Sequence, residues 1–231
     1  MHYKYVTFDL DDTLIDTQSQ IKKAFIQLYE QVFQQMGQDS EREFLQKVHE
    51  LCQQKEILAL WKKTAFFQTI GETFKIQLTA KEIEKCKEIF STSLITPPLQ
   101  KGVREVLNYL KEQKITLGII SNCSTKRIVH SLAEHKIQEY FAIIISCKDL
   151  QIDKQSTEAF QYFVQHIKGS ARDCIHIGDH ILEDTAAKKV GFTVILYDYK
   201  KRYKKEQKKY DFRITSYTEL LALLQKIKNR L

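Results

Sequence analysis

Two periodicities divide the chain. From Ile15 to Thr96 apolar residues return every third or fourth position: Ile21, Phe25, Leu28, Val32 and Phe33; Phe44, Val48 and Leu51; Ile57, Leu60, Trp61 and Phe67; Ile83, Cys86, Ile89 and Phe90. That spacing gives each segment one apolar helical face, so the block reads as four helices. Ser40-x-x-Glu43 and Thr79-x-x-Glu82 open two of them with capping boxes, in which side chain and backbone satisfy each other's orphan groups. Pro97-Pro98 closes the block, because proline cannot continue a helix and restricts the residue before it.

Outside this block, apolar runs alternate with helical patterns. Tyr5-Val6-Thr7-Phe8 reads as a first strand. After Pro98 come helix 103–113, strand 115–120, helix 126–133, strand 141–145, helix 157–167 and strand 174–177. A helix from about Glu183, strands 193–196 and 212–214, and a final helix from Thr218 complete the order. Alternation of this kind predicts an α/β fold with a parallel sheet covered on both faces. Continuous apolar runs such as Ile143-Ile144-Ile145 suit strands buried on both sides. With only two prolines and seven glycines, the elements should be long and their connections short.

The 231 residues suffice for one large domain or for a domain with an insert. No run approaches the roughly 18 apolar residues of a membrane span, and the first strand follows the N-terminus at once, leaving no room for a signal peptide. A cytoplasmic location is therefore expected. Five scattered cysteines without a Cys-x-x-Cys pair suggest neither a disulfide framework nor a zinc site. The net charge of +7 is largely local: residues 200–209 hold seven basic side chains against Glu206. The rest is close to neutral, so nucleic-acid binding is not expected; the tract reads as a solvated connection between two strands, the alternative being that it gathers anionic substrates by long-range attraction.

Ligands of such sheets bind beyond the carboxyl ends of the strands. Asp9 and Asp11 follow the first strand, and alternate residues of an extended segment point the same way. Two converging carboxylates repel one another unless a cation or chemistry requires them, and Mg²⁺ is the natural remedy. After strand 115–120 come Ser121 and Asn122, a hydroxyl and an amide able to donate to an anionic oxygen. After strand 174–177 come Gly178, Asp179 and, five residues beyond Asp179, Asp184. Acids joined by small polar donors make an oxygen-ligand site for a hard cation and a phosphate. His176, inside a strand, reads as a satisfied buried histidine, whereas His180 beside Asp179 could face the site. Trp61 with Lys62 and Lys63 reads as a core tryptophan beside solvated lysines.

These residues, in this order, resemble the haloacid dehalogenase superfamily, in the branch with a helical cap inserted after the first strand. Its first motif, Asp-x-Asp-x-Thr, is met at Asp9, Asp11 and Thr13; its second at Ser121 with Asn122; its fourth at Gly178, Asp179 and Asp184. The third, a lysine with a phenylalanine six residues on, is met at Lys154 and Phe160 without the usual proline, and Lys148 is the competing lysine. The resemblance implies a Rossmann-like core, residues 1–15 and 98–231, with a four-helix cap, residues 16–97. It implies Asp9 as nucleophile forming an aspartyl-phosphate, and Asp11 as the acid that protonates the leaving oxygen and then activates water. Thr13, Ser121, Asn122 and Lys154 would bind phosphate, and Asp9, Asp11, Asp179 and Asp184 would hold Mg²⁺. An acid at position 11 suits phosphatases and phosphomutases; dehalogenases of the superfamily lack it.

The expected activity is Mg²⁺-dependent hydrolysis of a small phosphorylated metabolite. Cap spacing around Leu60-Trp61 is loosely similar to nucleotidase-like members, which puts nucleoside monophosphates among the candidates. Phosphosugars and phosphoglycolate are the alternative, and a phosphomutase shares every core residue named. A non-enzymatic regulatory member should have lost a motif acid, and none is lost.

Overall fold

The computed structural model describes residues 3–38, 40–53, 64–93, 96–203 and 209–228. The chain forms two compact units, one of residues 1–16 with 98–231 and one of residues 17–97.

The first unit is built on one six-stranded sheet: β1 (Tyr5–Phe8), β2 (Thr116–Ser121), β3 (Phe141–Ser146), β4 (Cys174–Gly178), β5 (Thr193–Tyr197) and β6 (Phe212–Ile214). All neighbours are parallel, in the order β3-β2-β1-β4-β5-β6. The strand order therefore reverses at β1, where an open α/β sheet leaves its crevice. Phe8 lies level with Ile119 of β2 and Ile177 of β4. Residues that follow these three strands thus emerge side by side, which is what brings three sequence-distant motifs to one edge.

Strand positions such as Val6, Phe8, Ile119, Ile120, Ile177 and Leu196 are wholly buried, as their unbroken apolar runs require. On one face they pack with α5 (Val103–Glu112) and α10 (Tyr217–Lys228), through Val103, Leu107, Leu110, Leu220 and Leu224. On the other they pack with α8 (Glu158–Gln165) and α9 (Ala186–Val190), through Phe160, Phe163 and Ala187. Helix α6 (Thr125–Glu134) follows β2, its N-terminus capped by Ser124, whose Oγ accepts from the Arg127 N–H at 3.4 Å.

Two details depart from the sequence pattern. A short helix α7 (Cys147–Leu150), capped by Ser146, follows β3, where the sequence pattern names no element. The helix expected from about Glu183 begins only at Ala186. Asp184 accepts the His180 N–H through its side chain, at 2.8 Å, and Thr185 donates its hydroxyl to the Ile181 carbonyl at 2.6 Å. Side chains that bond nearby backbone in this way favour a turn over a helix.

The inserted unit holds α1 (Thr17–Leu28), α2 (Glu41–Gln53), α3 (Thr64–Thr73) and α4 (Ala80–Ser93). Helix α1 runs on through a π turn, Tyr29–Phe33, and a 3-10 turn, Gln34–Met36, until Gly37 stops it at φ 90°. Phe25, Phe33, Phe44, Phe66, Phe67 and Phe90 form a core of its own. Thr79 and Glu82 make the predicted reciprocal cap, with bonds of 2.6, 2.8 and 3.3 Å. At the other box Ser40 Oγ accepts from the Glu43 N–H at 3.2 Å. Ile57, Leu60, Trp61, Lys62 and Lys63 lie outside the described residues.

Candidate active site

The chain leaves β1 in a tight turn. Asp9 donates its backbone N–H to the Ile177 carbonyl at 2.9 Å, and Leu14 and Ile15 both return to the Leu10 carbonyl. Asp12 supplies the left-handed residue, φ 55°, a conformation that Asp tolerates better than most.

Lys154 stands at the centre of the site. Its side chain is fully buried, with Nζ 2.6 Å from Asp9 Oδ1 and 2.5 Å from Asp184 Oδ1. Burial alone would lower its pKa, but Asp184 and Asp9 overcome that and raise it, so the ammonium is held charged. The competing Lys148 is exposed. Asp184 is firmly held: it accepts from Lys154, from His176 Nε2 at 2.9 Å and from the His180 N–H at 2.8 Å. Burial works against its ionised form, yet Lys154 and His176 keep its carboxyl well below the usual range.

His176 is the satisfied buried histidine that the strand pattern predicts. Nδ1 is 2.8 Å from Thr7 Oγ1, and Phe160 packs edge-on at 4.9 Å between ring centres. Burial lowers its pKa, so it is neutral, donating from Nε2 to Asp184 and accepting at Nδ1. Phe160, His176, Asp184 and Lys154 thus form one chain of contacts, which gives the lysine and phenylalanine spacing its physical meaning. His180 turns into its own loop, its Nδ1 accepting from the Glu183 N–H at 3.3 Å.

Asp9, Asp179 and Asp184 are all buried, and one carboxylate oxygen from each lies within 4.8 Å of the others. Burial and the neighbouring Asp184 push Asp179 up to about 7, against the pull of Arg202, whose Nη2 lies 2.6 Å from Asp179 Oδ2. Burial likewise raises Asp9 well above the carboxylate range, Lys154 opposing and Asp184 and Asp179 adding to it.

Asp11 is brought to the same edge, but its carboxylate faces a different partner. Arg127 of α6 holds it in a fork, Nη1 to Oδ2 and Nη2 to Oδ1, each at 2.6 Å. Cys123 donates its thiol to Asp11 Oδ2 at 2.9 Å and also contacts Arg127 Nη1. Burial and Asp11 push that thiol up to about 12, so it stays a donor.

Ser121 is buried at the end of β2, where its Oγ accepts from the Cys123 N–H at 3.3 Å. Asn122 is exposed and donates to Glu183 Oε2 at 2.8 Å, which spans the loops after β2 and β4. Thr13 is wholly buried. Its carbonyl accepts from Tyr217 Oη at 2.8 Å, while its hydroxyl has no partner among the described residues. Arg127 and Arg202 escaped the reading of the sequence. A signal existed for Arg127: a cation in the first turn of a helix opposes the helix dipole and asks for an anionic partner. Arg202 was hidden in the basic tract, read there as solvated; residues 204–208 of the tract lie outside the described residues.

Residues 6–197 match the family model of haloacid dehalogenase-like hydrolases. The chain belongs to this family. Among curated relatives, a phosphoglycolate phosphatase of Vibrio parahaemolyticus is 23% identical over 189 residues, covering 81% of this chain and 80% of the relative. Among solved structures, the HAD-hydrolase YfnB of Bacillus subtilis, bound to magnesium, superimposes with a TM-score of 0.72 at 18% identity. It covers 97% of this chain and all of YfnB. A 2-haloacid dehalogenase of Pseudomonas syringae pv. Tomato gives 0.60 at 22% identity, over 97% of this chain and 99% of its own. This dehalogenase-like hydrolase therefore shares its fold with enzymes of more than one chemistry, and the side chains of the site must decide between them. Among the described residues no helix is long and apolar enough to cross a membrane.

Proposed function

We propose that this dehalogenase-like hydrolase is a Mg²⁺-dependent phosphatase that cleaves a small phosphomonoester through an aspartyl-phosphate on Asp9. The observation that carries the reading is the trio Asp9, Asp179 and Asp184, buried together, with Lys154 paired to Asp9 and Asp184. A nucleophilic carboxylate must be ionised, and the surroundings of Asp9 push its pKa upward despite Lys154. The donor set is all oxygen, which suits a hard cation. Asp9, Asp179 and Asp184 would hold the ion, with Asp11 the fourth ligand suggested by the motif. Bound there, Mg²⁺ would supply charge neutralisation to the phosphoryl oxygens and keep the carboxylates ionised.

Lys154 engages Oδ1 of Asp9, which leaves Oδ2 to attack phosphorus. The bond from phosphorus to the leaving oxygen breaks, and Asp11, released from the Arg127 fork and protonated beforehand, delivers the proton that the leaving oxygen takes up. Asp11 then accepts a proton from water as that water attacks the aspartyl-phosphate, releasing phosphate and restoring Asp9. Lys154, Ser121, Asn122 and the Thr13 hydroxyl, which has no partner among the described residues, are the proposed phosphate contacts. An acid at position 11 favours this chemistry over dehalogenation, which needs no proton delivered to an alkoxide.

For the substrate, the Vibrio relative lends support to phosphoglycolate or a similar small phosphorylated acid. The nucleoside monophosphate reading leaned on Leu60 and Trp61, outside the described residues. A panel of phosphorylated metabolites, with free phosphate and product isomers both measured, tests the proposal. Phosphate release supports it; isomerised product without release would replace it with a phosphomutase.

A further inference from the structure

Arg202 belongs to the basic tract but turns back onto the site. Its Nη2 donates to Asp179 Oδ2 at 2.6 Å and to the Asp179 carbonyl at 3.1 Å, and its guanidinium stands 5.1 Å from the centre of the Tyr203 ring. The turn that delivers it is itself built. Asp198, wholly buried just after β5, accepts from the N–H of Arg202 at 2.8 Å and of Tyr203 at 3.1 Å, and from Arg213 Nη2 at 2.6 Å. Lys201, at φ 53°, closes the turn by donating its N–H to the Asp198 carbonyl at 3.0 Å. A buried carboxylate is costly unless its oxygens are satisfied, and here the turn that aims Arg202 shares that role with Arg213 of β6.

We infer that Arg202 is a built-in competitor for the metal: guanidinium and cation contend for the Asp179 carboxylate, so each weakens the other. The inference rests on the metal site proposed above. Charge supplies the reason. When ionised, Asp9, Asp179 and Asp184 keep two negative charges beyond the one that Lys154 cancels. A divalent ion cancels both, and a guanidinium at 2.6 Å is then surplus positive charge pressed against a ligand. Magnesium also requires near-ideal octahedral placement of its oxygens, which a carboxylate steered by a second cation offers poorly. By linkage the effect is mutual: Arg202 raises the dissociation constant for Mg²⁺, and Mg²⁺ loosens Arg202 from Asp179 by the same factor.

Two measurements on the full chain test this. Calorimetric titration with Mg²⁺ at fixed ionic strength should give a dissociation constant about five- to tenfold lower for Arg202→Gln than for the parent. Arg202→Lys should lie between, since an ammonium keeps the charge on a more strongly hydrated, less pre-organised group. In the parent, modification of Arg202 by phenylglyoxal, mapped by peptide mass spectrometry, should accelerate when Mg²⁺ is added. Equal or weaker Mg²⁺ binding by Arg202→Gln overturns the inference, as does labelling that Mg²⁺ slows or leaves unchanged. If the parent binds no Mg²⁺, the metal reading falls and this inference with it; if it binds and the variant binds equally, only the competition falls. Should Arg202→Gln not fold, the labelling of the parent decides alone.

Discussion

The Asp184 carboxyl fills the space in which a side chain at Gly178 would begin: a Cβ placed on Gly178 would lie 2.0 Å from Asp184 Cγ. Strand β4 thus ends in glycine because the acid six residues later must fold back onto it to reach Lys154 and His176. Gly178→Ala should push Asp184 away, destabilise the protein by about 1–3 kcal/mol as an overpacked core does, and remove most activity. Urea denaturation alongside steady-state kinetics checks both. A variant with parental stability and parental kcat would show that Asp184 can serve from elsewhere.

Lys154 and Lys148 should behave as opposites. Removing the Lys154 ammonium leaves Asp9 and Asp184 buried and mutually repelling, a loss of about 3–5 kcal/mol where one partner of a buried pair is deleted. Lys154→Met, which keeps the volume, should lose about 10²–10³-fold in kcat, as when a preorganised charge-stabilising donor is removed. Lys148→Ala, at an exposed position, should keep the parent's activity and melting temperature. The reverse pattern in a phosphatase assay would move the third motif to Lys148.

The two acids of the first motif should fail differently. Asp9→Asn removes the nucleophile and should bring turnover to background, with deamidation back to Asp excluded by mass spectrometry. Asp11→Asn keeps the nucleophile but removes proton transfer, a loss of about 10²–10⁴-fold, and should let a phospho-enzyme accumulate. Acid-quenched samples analysed for phosphorylated Asp9 distinguish the cases; substantial turnover by Asp9→Asn would rule out the covalent route.

Metal should govern both stability and rate. An ion that binds only the folded site adds about 2.7 kcal/mol at a hundred times its dissociation constant, so the melting temperature should climb with Mg²⁺ and fall back on chelation. Chelation should also stop phosphate release, and Mg²⁺ should restore it. Calcium, with its larger and looser shell, should restore far less. Full turnover after exhaustive chelation would refute the site as proposed.

The one-dimensional pattern determined the alternation of strands and helices, the helical insert after the first strand, and the motif residues, because each depends on nearest neighbours along the chain. A strand-end Asp9 and Asp11, a Gly178 before Asp179, and a Lys154 six residues ahead of Phe160 are local spacings, legible wherever the period is. What the pattern could not state is which charge meets which. Asp11 could be read as a strand-end acid, but the pattern could not show that Arg127, more than a hundred residues away, holds its carboxylate. Asp179 carries Arg202, from a tract that composition alone makes a solvated loop. Asp184, one acid among several in sequence, is the hub on which Lys154 and His176 converge. Those pairings were decided by the parallel register that sets β1, β2 and β4 level and by burial, which forces each charge to find a partner and leaves geometry to choose among them.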